Sequence, residues 1–368
     1  MEISAVQSTR QIHFRADSSS KNEDTSWKVH ALVVLGRGMQ IAATALVLSS
    51  LVFTWIATPF WLLGLIPAAA LAVLGTKLAQ TKASQGHLFI PGWNRPPFIE
   101  GQPIGIHNQS CNCWINSLMQ VFLHVKSFDQ AAQSLPASFK PLKDFIAQYH
   151  DSQQKKEFIS GGDSQKIREC LHGTSTGVIS NEAWRQEDAS EGLSLIFNYA
   201  NGSKNPLWNI VDSVQNSGTV THGEYMIPLD LEGHKKNFHE LLNTYFIFAN
   251  GNGPGRRYFQ QLPQELLFQC NRFTQVDGKF VKIPDSLPIE EEFSLPAEYV
   301  RTNQSAKFCC DAFIEHIGSA LSGGHYVAYV KKSDGTWWCC NDSLTYTVSS
   351  QEARKAMQRA YLLHYRRA

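Results

Sequence analysis

A chain of 368 residues has room for one large domain or two ordinary ones, and 43% hydrophobic with 18% charged residues is a globular composition. The formal net charge is only +1, and Lys and Arg form no basic helix or stripe, so nucleic acid is excluded as a partner. The eight cysteines, at 111, 113, 170, 270, 309, 310, 339 and 340, include adjacent pairs rather than a spaced disulfide framework. No Cys-x-x-Cys occurs, so no metal site and no cofactor are expected, and the thiols read as free in a reducing compartment.

Residues 1–36 are expected to form a polar, mobile N-terminal tail around Ser18–Asp24. The hydrophobic segment behind it lies too far in, after too many acids, for a cleaved signal peptide. Between Arg37 and Lys77 no side chain is charged, and the run breaks at Thr58-Pro59 between Trp55 and Trp61. Such a run is about twice the roughly 20 residues one spanning helix needs. Residues 37–77 therefore predict a transmembrane hairpin, with helices over 39–57 and 60–76. Lys28, Arg37, Lys77 and Lys82 flank it, which places both ends and the following domain in the cytosol. A single span plus a re-entrant piece, or a buried helical pair in a soluble core, are the other readings. Residues 78–98, with Gly86 and Pro96-Pro97, form a linker, and 99–368 are left for a catalytic domain.

Within that domain the stretch Gly105–Gln120 carries the first chemical signal. Ile115, Leu118, Met119 and Phe122 fall at helical spacing after Cys113, whereas Asn108, Gln109, Ser110 and Asn112 read as a loop closing on a cap. Cys113 is thus expected at a helix N-terminus, where free backbone N–H groups and the macrodipole favour thiolate. Asn108, in the same loop, is positioned to reach an oxyanion forming beside the sulfur. A small buried core residue is the alternative for Cys113. Cys111, in the loop, reads as structural.

Farther on, Phe313–Ile317 reads as a strand, Gly318–Gly324 as a flexible turn and Tyr326–Lys331 as the returning strand. After a turn at Asp334-Gly335, Trp337–Asp342 forms a third strand. His325 then opens one strand beside Asn341 at the end of its partner. An amide or carboxylate there holds an imidazole in the tautomer that takes a proton from sulfur. Gly323 and Gly324 leave room for a substrate backbone. His316 is the local rival, without that access or that partner. These residues alone read as a thiol protease.

The motifs resemble those of the ubiquitin-specific protease family of deubiquitinases. The family's Gly-Leu-x-Asn-x-Gly-x-Thr-Cys-Tyr-x-Asn-Ser-x-x-Gln box is matched at Gly105, Asn108, Cys113, Asn116, Ser117 and Gln120. Its Gly-His-Tyr-x-Ala-Tyr box is intact from Gly324 to Tyr329, followed by Gly335, Trp337, Asn341 and Asp342. Gln186–Leu193 resembles its Gln-x-Asp-Ala-x-Glu-Phe-Leu helix, and Phe268–Phe273 with Lys279, Lys282 and Pro284 its Leu-x-Arg-Phe strand. A papain-type endopeptidase, which Cys111-Asn-Cys113-Trp114 echoes, lacks these last two.

The resemblance implies an α+β, papain-like cysteine protease fold with a helical thumb, a β-sheet palm and fingers. It implies Cys113 as nucleophile, His325 as base, Asn341 as orienter, Asn108 as oxyanion donor and Asp342 assisting. Asp188 and Glu191 would grip arginines in the C-terminal tail of ubiquitin, and Tyr326 would line the channel for the tail's Gly-Gly. A solvated helix face is the alternative for that acidic pair. Ser110 and Asn112 depart from the family's Gly and Thr. The family's zinc cysteines are absent, so the fingers, over about 203–260, are expected to be short and metal-free, with weaker or altered substrate preference. Ubiquitin or ubiquitinated proteins are the implied partners. A protease for another ubiquitin-like modifier and an inactive membrane-anchored ubiquitin-binding scaffold are the alternatives. A hydrophobic hairpin before a cytosolic domain also resembles inclusion-membrane proteins of intracellular bacteria. That implies a secreted effector on a host-cell or vacuole membrane, as against a eukaryotic enzyme anchored on an organelle.

Overall fold

The structure, a computed structural model, describes residues 101–125, 135–155, 157–175, 178–201, 208–214, 218–231, 237–250, 253–277, 279–283, 286–287, 289–320 and 323–368. The tail, hairpin and linker expected over 1–98 lie outside them. No helix among the described residues is long and apolar enough to cross a membrane.

Four helices come first: α1 (Cys113–His124), α2 (Lys140–Lys155), α3 (Gly161–Thr174) and α4 (Ala189–Asn201). The apolar spacing read after Cys113 is that of a helix buried from Cys113 to Phe122, polar residues included. Those polar residues are matched. Asn116 Nδ2 donates to Asp342 Oδ1 at 2.7 Å, Ser117 Oγ to Trp114 O at 3.0 Å, and Gln120 Nε2 to Ile104 O at 2.5 Å. In α2, Leu142, Phe145, Ile146 and Tyr149 repeat at helical spacing and face inward. The start of α3 is fixed by Ser160, whose side chain accepts from Gly162 N.

The strands β1 (Trp208–Val214), β2 (Gly218–Glu224), β4 (Ile247–Asn250) and β5 (Gly253–Phe259) form a four-stranded sheet in the order β2-β1-β5-β4. It occupies the region expected to be reduced fingers. Arg257 crosses from β5 to Asp212 of β1, with Nε–Oδ1 at 2.6 Å and Nη2–Oδ2 at 2.9 Å, and lies over the Tyr245 ring at 4.5 Å. Among the described residues, no group of His, Cys, Asp or Glu is arranged to hold a metal ion.

The larger sheet has eight strands. Its path runs β13 (Leu344–Val348), β12 (Trp337–Asn341), β11 (Gly323–Lys331), β10 (Ala306–Ala320), β14 (Ala360–Arg367), β6 (Glu265–Asn271), β3 (Ile227–Asp230), with β9 (Glu292–Leu295) on the far end of β10. All pairs are antiparallel except β3 with β6. The turn expected over 318–324 is tighter than the glycines suggest, because β10 continues to Ala320 and β11 resumes at Gly323. Helix α1 packs across β10, β11 and β12. Helix α5 (Phe238–Phe246) brings Phe238 into an edge-to-face cluster with Phe268 at 5.5 Å and Phe293 at 5.1 Å. A ribbon of β7 (Phe273–Val276) and β8 (Lys279–Lys282) and a capped helix α6 (Ser350–Met357) complete the domain.

His364 of β14 is buried, with Nδ1 2.5 Å from Asp311 Oδ1 of β10 and Nε2 3.8 Å from Glu265 Oε2 of β6. Burial alone would lower its pKa, but the two carboxylates push it up to about 9. A pKa raised above its unfolded value stabilises fully below about pH 6.5 and ceases to do so as pH rises through about 9. In the chain carrying Cys113→Ala, the free energy of unfolding is expected to fall across that window by on the order of 3 kcal/mol at most, followed as a lowered melting temperature. In His364→Gln it is expected to fall less. Equal slopes would show that this imidazolium does not bridge the three strands.

Candidate active site

Cys113 is the first residue of α1 and is 4% exposed. The preceding Asn112 makes no side-chain cap to the helix. Its amide is used elsewhere, donating to Gln165 Oε1 at 3.1 Å and accepting from Arg168 Nη1 at 3.0 Å. Arg168, wholly buried, also donates through Nε to Ser180 O at 2.9 Å and through Nη2 to Arg185 O, with Glu187 3.8 Å away. The departure from the family's Thr at 112 is thus an anchor, tying the loop before Cys113 to α3. The other ties are backbone bonds, Cys111 N to Ala183 O and His107 N to Ile159 O, each 2.9 Å.

The register of β11 with β12 pairs Ala328 with Cys340, which sets Asn341 one diagonal step from His325 on the same face. His325 Nε2 lies 2.7 Å from Asn341 Oδ1. Because an amide oxygen only accepts, Nε2 carries the proton there, and Nδ1 is left to serve the Cys113 sulfur, which is within hydrogen-bonding reach of the ring. Burial pulls the imidazole toward neutrality. The Cys113 sulfur, then Asp342 and Asn341, outweigh it and push the pKa up to about 10. The imidazole is therefore held charged beside the Cys113 sulfur. Both sequence expectations, a helix-start thiol and a strand-start imidazole oriented by Asn341, meet in one place.

Asp342 joins them. It follows β12 in a two-residue turn to β13, with φ at +50. Its buried carboxylate accepts from Asn116 Nδ2 at 2.7 Å and Asn108 Nδ2 at 3.1 Å, and lies 4.0 Å from His325 Nε2. Its carbonyl accepts from Ile106 N at 2.9 Å. The same turn explains Gly105, where a Cβ would stand 2.3 Å from Ser343 O. Asn108, expected at the oxyanion, spends one N–H on Asp342, and its Oδ1 accepts from Ser110 N and Asn112 N at 3.2 and 3.3 Å. The amide is thereby fixed in orientation, with one N–H of Nδ2 remaining.

The expected substrate contacts fare unevenly. Gln186–Asp188 precede α4 rather than belonging to a helix that starts at 186. Asp188 is no solvated face. Oδ1 accepts from Ser190 N at 2.6 Å and Ser190 Oγ at 2.7 Å, and Oδ2 from Tyr361 OH at 2.5 Å. Glu191 differs, because burial, then the Asp188 and Glu187 charges, push its carboxyl up to about 8. A cation arriving there would restore the carboxylate. Gly323 has open space where a Cβ would stand, as expected of an approach path. Gly324 does not, since a Cβ would meet His316 Nε2 at 2.4 Å, so its missing side chain serves internal packing. Tyr326 is buried, its ring 4.7 Å from His316 and 6.0 Å from Tyr361. The rival His316 is thus packed beneath the strand, and the imidazole at the sulfur is that of His325.

Sequence reasoning missed Asn112, Arg168, Tyr361 and Gln269, whose Nε2 donates to Ser190 Oγ at 2.8 Å and Tyr361 OH at 3.1 Å. One signal was available. Ser164, Arg168 and Leu171 stand on a single helical stripe, and an Arg on a buried stripe demands partners.

A family model described as ubiquitin carboxyl-terminal hydrolase matches residues 104–365. Ubiquitin carboxyl-terminal hydrolase 21 of Arabidopsis thaliana is 33% identical over 113 residues, 30% of this chain and 15% of that protein. Ubiquitin carboxyl-terminal hydrolase 26 of the same plant is 24% identical over 293 residues, 66% of this chain and 26% of that protein. The chain thus spans about a quarter or less of these relatives' own length. Among solved structures, the SAGA DUB module Ubp8/Sgf11/Sus1/Sgf73 bound to monoubiquitin aligns with a TM-score of 0.60 and 18% identity. That alignment covers 81% of this chain and 74% of the other, and shows the fold. With the family model matched over most of its length, the chain belongs to the ubiquitin carboxyl-terminal hydrolase family.

Proposed function

We propose that the chain is a cysteine-type deubiquitinase that hydrolyses the isopeptide bond after the C-terminal glycine of ubiquitin. The observation that carries this reading is the Cys113, His325 and Asn341 constellation, with the imidazole 2.7 Å from Asn341. The family match and neighbours solved with monoubiquitin or ubiquitin aldehyde support ubiquitin as the modifier.

In this mechanism the Cys113 thiolate attacks the glycyl carbonyl, and the oxygen becomes an oxyanion beside the start of α1. The Cys113 backbone N–H and the remaining Asn108 N–H stabilise that charge. His325 gives its proton to the leaving lysine amine as the C–N bond breaks, leaving a thioester. It then takes a proton from water, which attacks the thioester and frees the carboxylate and the thiol. Asn341 keeps the ring in position, and Asp342 balances the imidazolium. Glu191 takes an arginine of the incoming tail, which supplies the cation its carboxyl needs to ionise. Asp188 adds charge from behind while holding Ser190 and Tyr361.

Residues 37–77 anchor this domain in a membrane with both ends in the cytosol. The uncharged run and its basic flanks support that reading. The same hairpin pattern supports an effector of an intracellular bacterium acting on host conjugates.

A ubiquitin–propargylamide probe is expected to label Cys113. Cys113→Ala is expected to abolish diubiquitin cleavage while ubiquitin still binds. Ubiquitin binding without labelling would mean an inactive scaffold, and labelling only by another modifier's probe would transfer the reading to that modifier. Asn108→Ala is expected to lower kcat by roughly 10²-fold with KM little changed, and full kcat would remove Asn108 from the oxyanion. For the anchor, a tagged full chain viewed in infected or transfected cells is expected on membranes. Deletion of 37–77 is expected to release it, and an unchanged distribution would refute the anchor.

A further inference from the structure

The strand that carries His325 begins beside an irregularity held from another sheet. Pairing of β10 with β11 runs regularly from Ala312↔Val330 to Ile317↔His325, then shifts before Ala320↔Gly323. In the gap Gly318, at φ +129, lies against Gly324, so that a Cβ on Gly318 would stand 3.0 Å from Gly324 Cα. Two carbonyls of β10 just past its last pairing with β14, at Glu315↔Ala360, are taken by Lys282, from the end of β8. Its Nζ is 2.6 Å from His316 O, 2.8 Å from Gly318 O and 3.2 Å from His316 Nδ1. Three acceptors match the three N–H bonds of an ammonium.

That arrangement sets the state of His316. With Nδ1 accepting from Lys282, the ring's proton sits on Nε2, which is buried without a hydrogen-bond partner and pressed against Gly324. A buried orphan donor costs about 1–3 kcal/mol. It persists only where the surroundings fix it, and here they are the Lys282 clamp, the Tyr326 ring and the Phe273 ring.

We propose that Lys282 is a positioning residue for the catalytic imidazole. Its ammonium fastens the His316–Gly318 segment of β10, the His316 ring sets Gly324, and Gly324 sets the adjoining His325 against Cys113. This rests on the thiol-protease reading above. Burial, then the Lys282 and His325 charges, push the pKa of His316 down to about 3, so no second imidazolium competes beside His325. Burial, then the Arg272 charge, bring that of Lys282 down to about 8, with Glu315 of β10 opposing and Arg359 adding to the shift. The clamp is charged at neutral pH.

The test follows the rate at which iodoacetamide alkylates Cys113 against pH, by mass spectrometry, in the full chain carrying Cys111→Ser. Alkylation reports thiolate without any need for ubiquitin. In the parent, the midpoint is expected well below that of an ordinary thiol, about 8.5. Lys282→Met is expected to raise it by about one pH unit, because a displaced His325 no longer pairs with the sulfur. Lys282→Arg is expected to restore at least half of the shift. Lys331→Met, which removes an ammonium farther along the same hairpin, is expected to leave it in place. Near-UV circular dichroism checks that each variant is folded, and Lys282→Gln serves if Lys282→Met is not. An unmoved midpoint in the folded variant, or an equal movement in Lys331→Met, overturns the proposal. With an unmoved midpoint and intact labelling by the ubiquitin probe, only the role of Lys282 falls. A parent midpoint already at the ordinary value overturns both this role and the thiol-protease reading.

Discussion

One buried carboxylate holds the site together. Asp342 receives the amides of Asn108 and Asn116 and stands 4.0 Å from His325, so the loop before Cys113, helix α1 and the strand of His325 all meet on it. Burial pushes its pKa up, and the His325 charge with the two amide donors opposes that shift. A single carboxylate left alone there would take a proton. The two amide donors and the His325 ring oppose that, and through them the carboxylate links the Asn108 loop and α1 to the imidazole. The turn that presents it places a non-glycine residue at φ +50, a conformation that the neighbouring contacts must sustain.

The site is divided between two kinds of architecture. The helical half supplies the sulfur and its loop, held by Arg168 and Asn112 as well as by Asp342. The sheet half supplies the imidazole, with Asn341 fixed by register rather than by flexible reach. Each half is rigid on its own account, because α1 is buried along its first ten residues and β11 lies between β10 and β12. The sulfur and the imidazole are thereby carried by core elements, and the loop and turn that bring Asn108 and Asp342 are tied to them by hydrogen bonds.

What the sequence disclosed and what it hid follow from the range of the interactions. A helix starting at Cys113 and strands around His325 and Asn341 are consequences of local periodicity, so they were legible. The roles of Asp188, Gly324 and Tyr326 depend on partners remote in sequence. Tyr361 lies 173 positions from Asp188 and donates to the carboxylate expected to grip substrate arginines, which also caps α4 through Ser190 N. The room expected at Gly324 is filled by His316, whose ring orientation no pattern in β10 reveals. The Asn112–Arg168 bond joins positions 56 apart and reads in sequence only as a departure from a motif.

The order of strands in the large sheet has a consequence for how the enzyme comes into being. β14 lies between β10 and β6, although it is translated after both. While the polypeptide emerges from the ribosome, the cysteine-bearing segment is synthesised long before the sheet that must support it. The two halves of that sheet remain apart until β14 inserts, and such long-range pairing is slow. Vectorial synthesis therefore delivers the reactive sulfur early and its imidazole late. During that interval the nascent chain carries the Cys113 sulfur without His325, whose strand β11 is made long after α1.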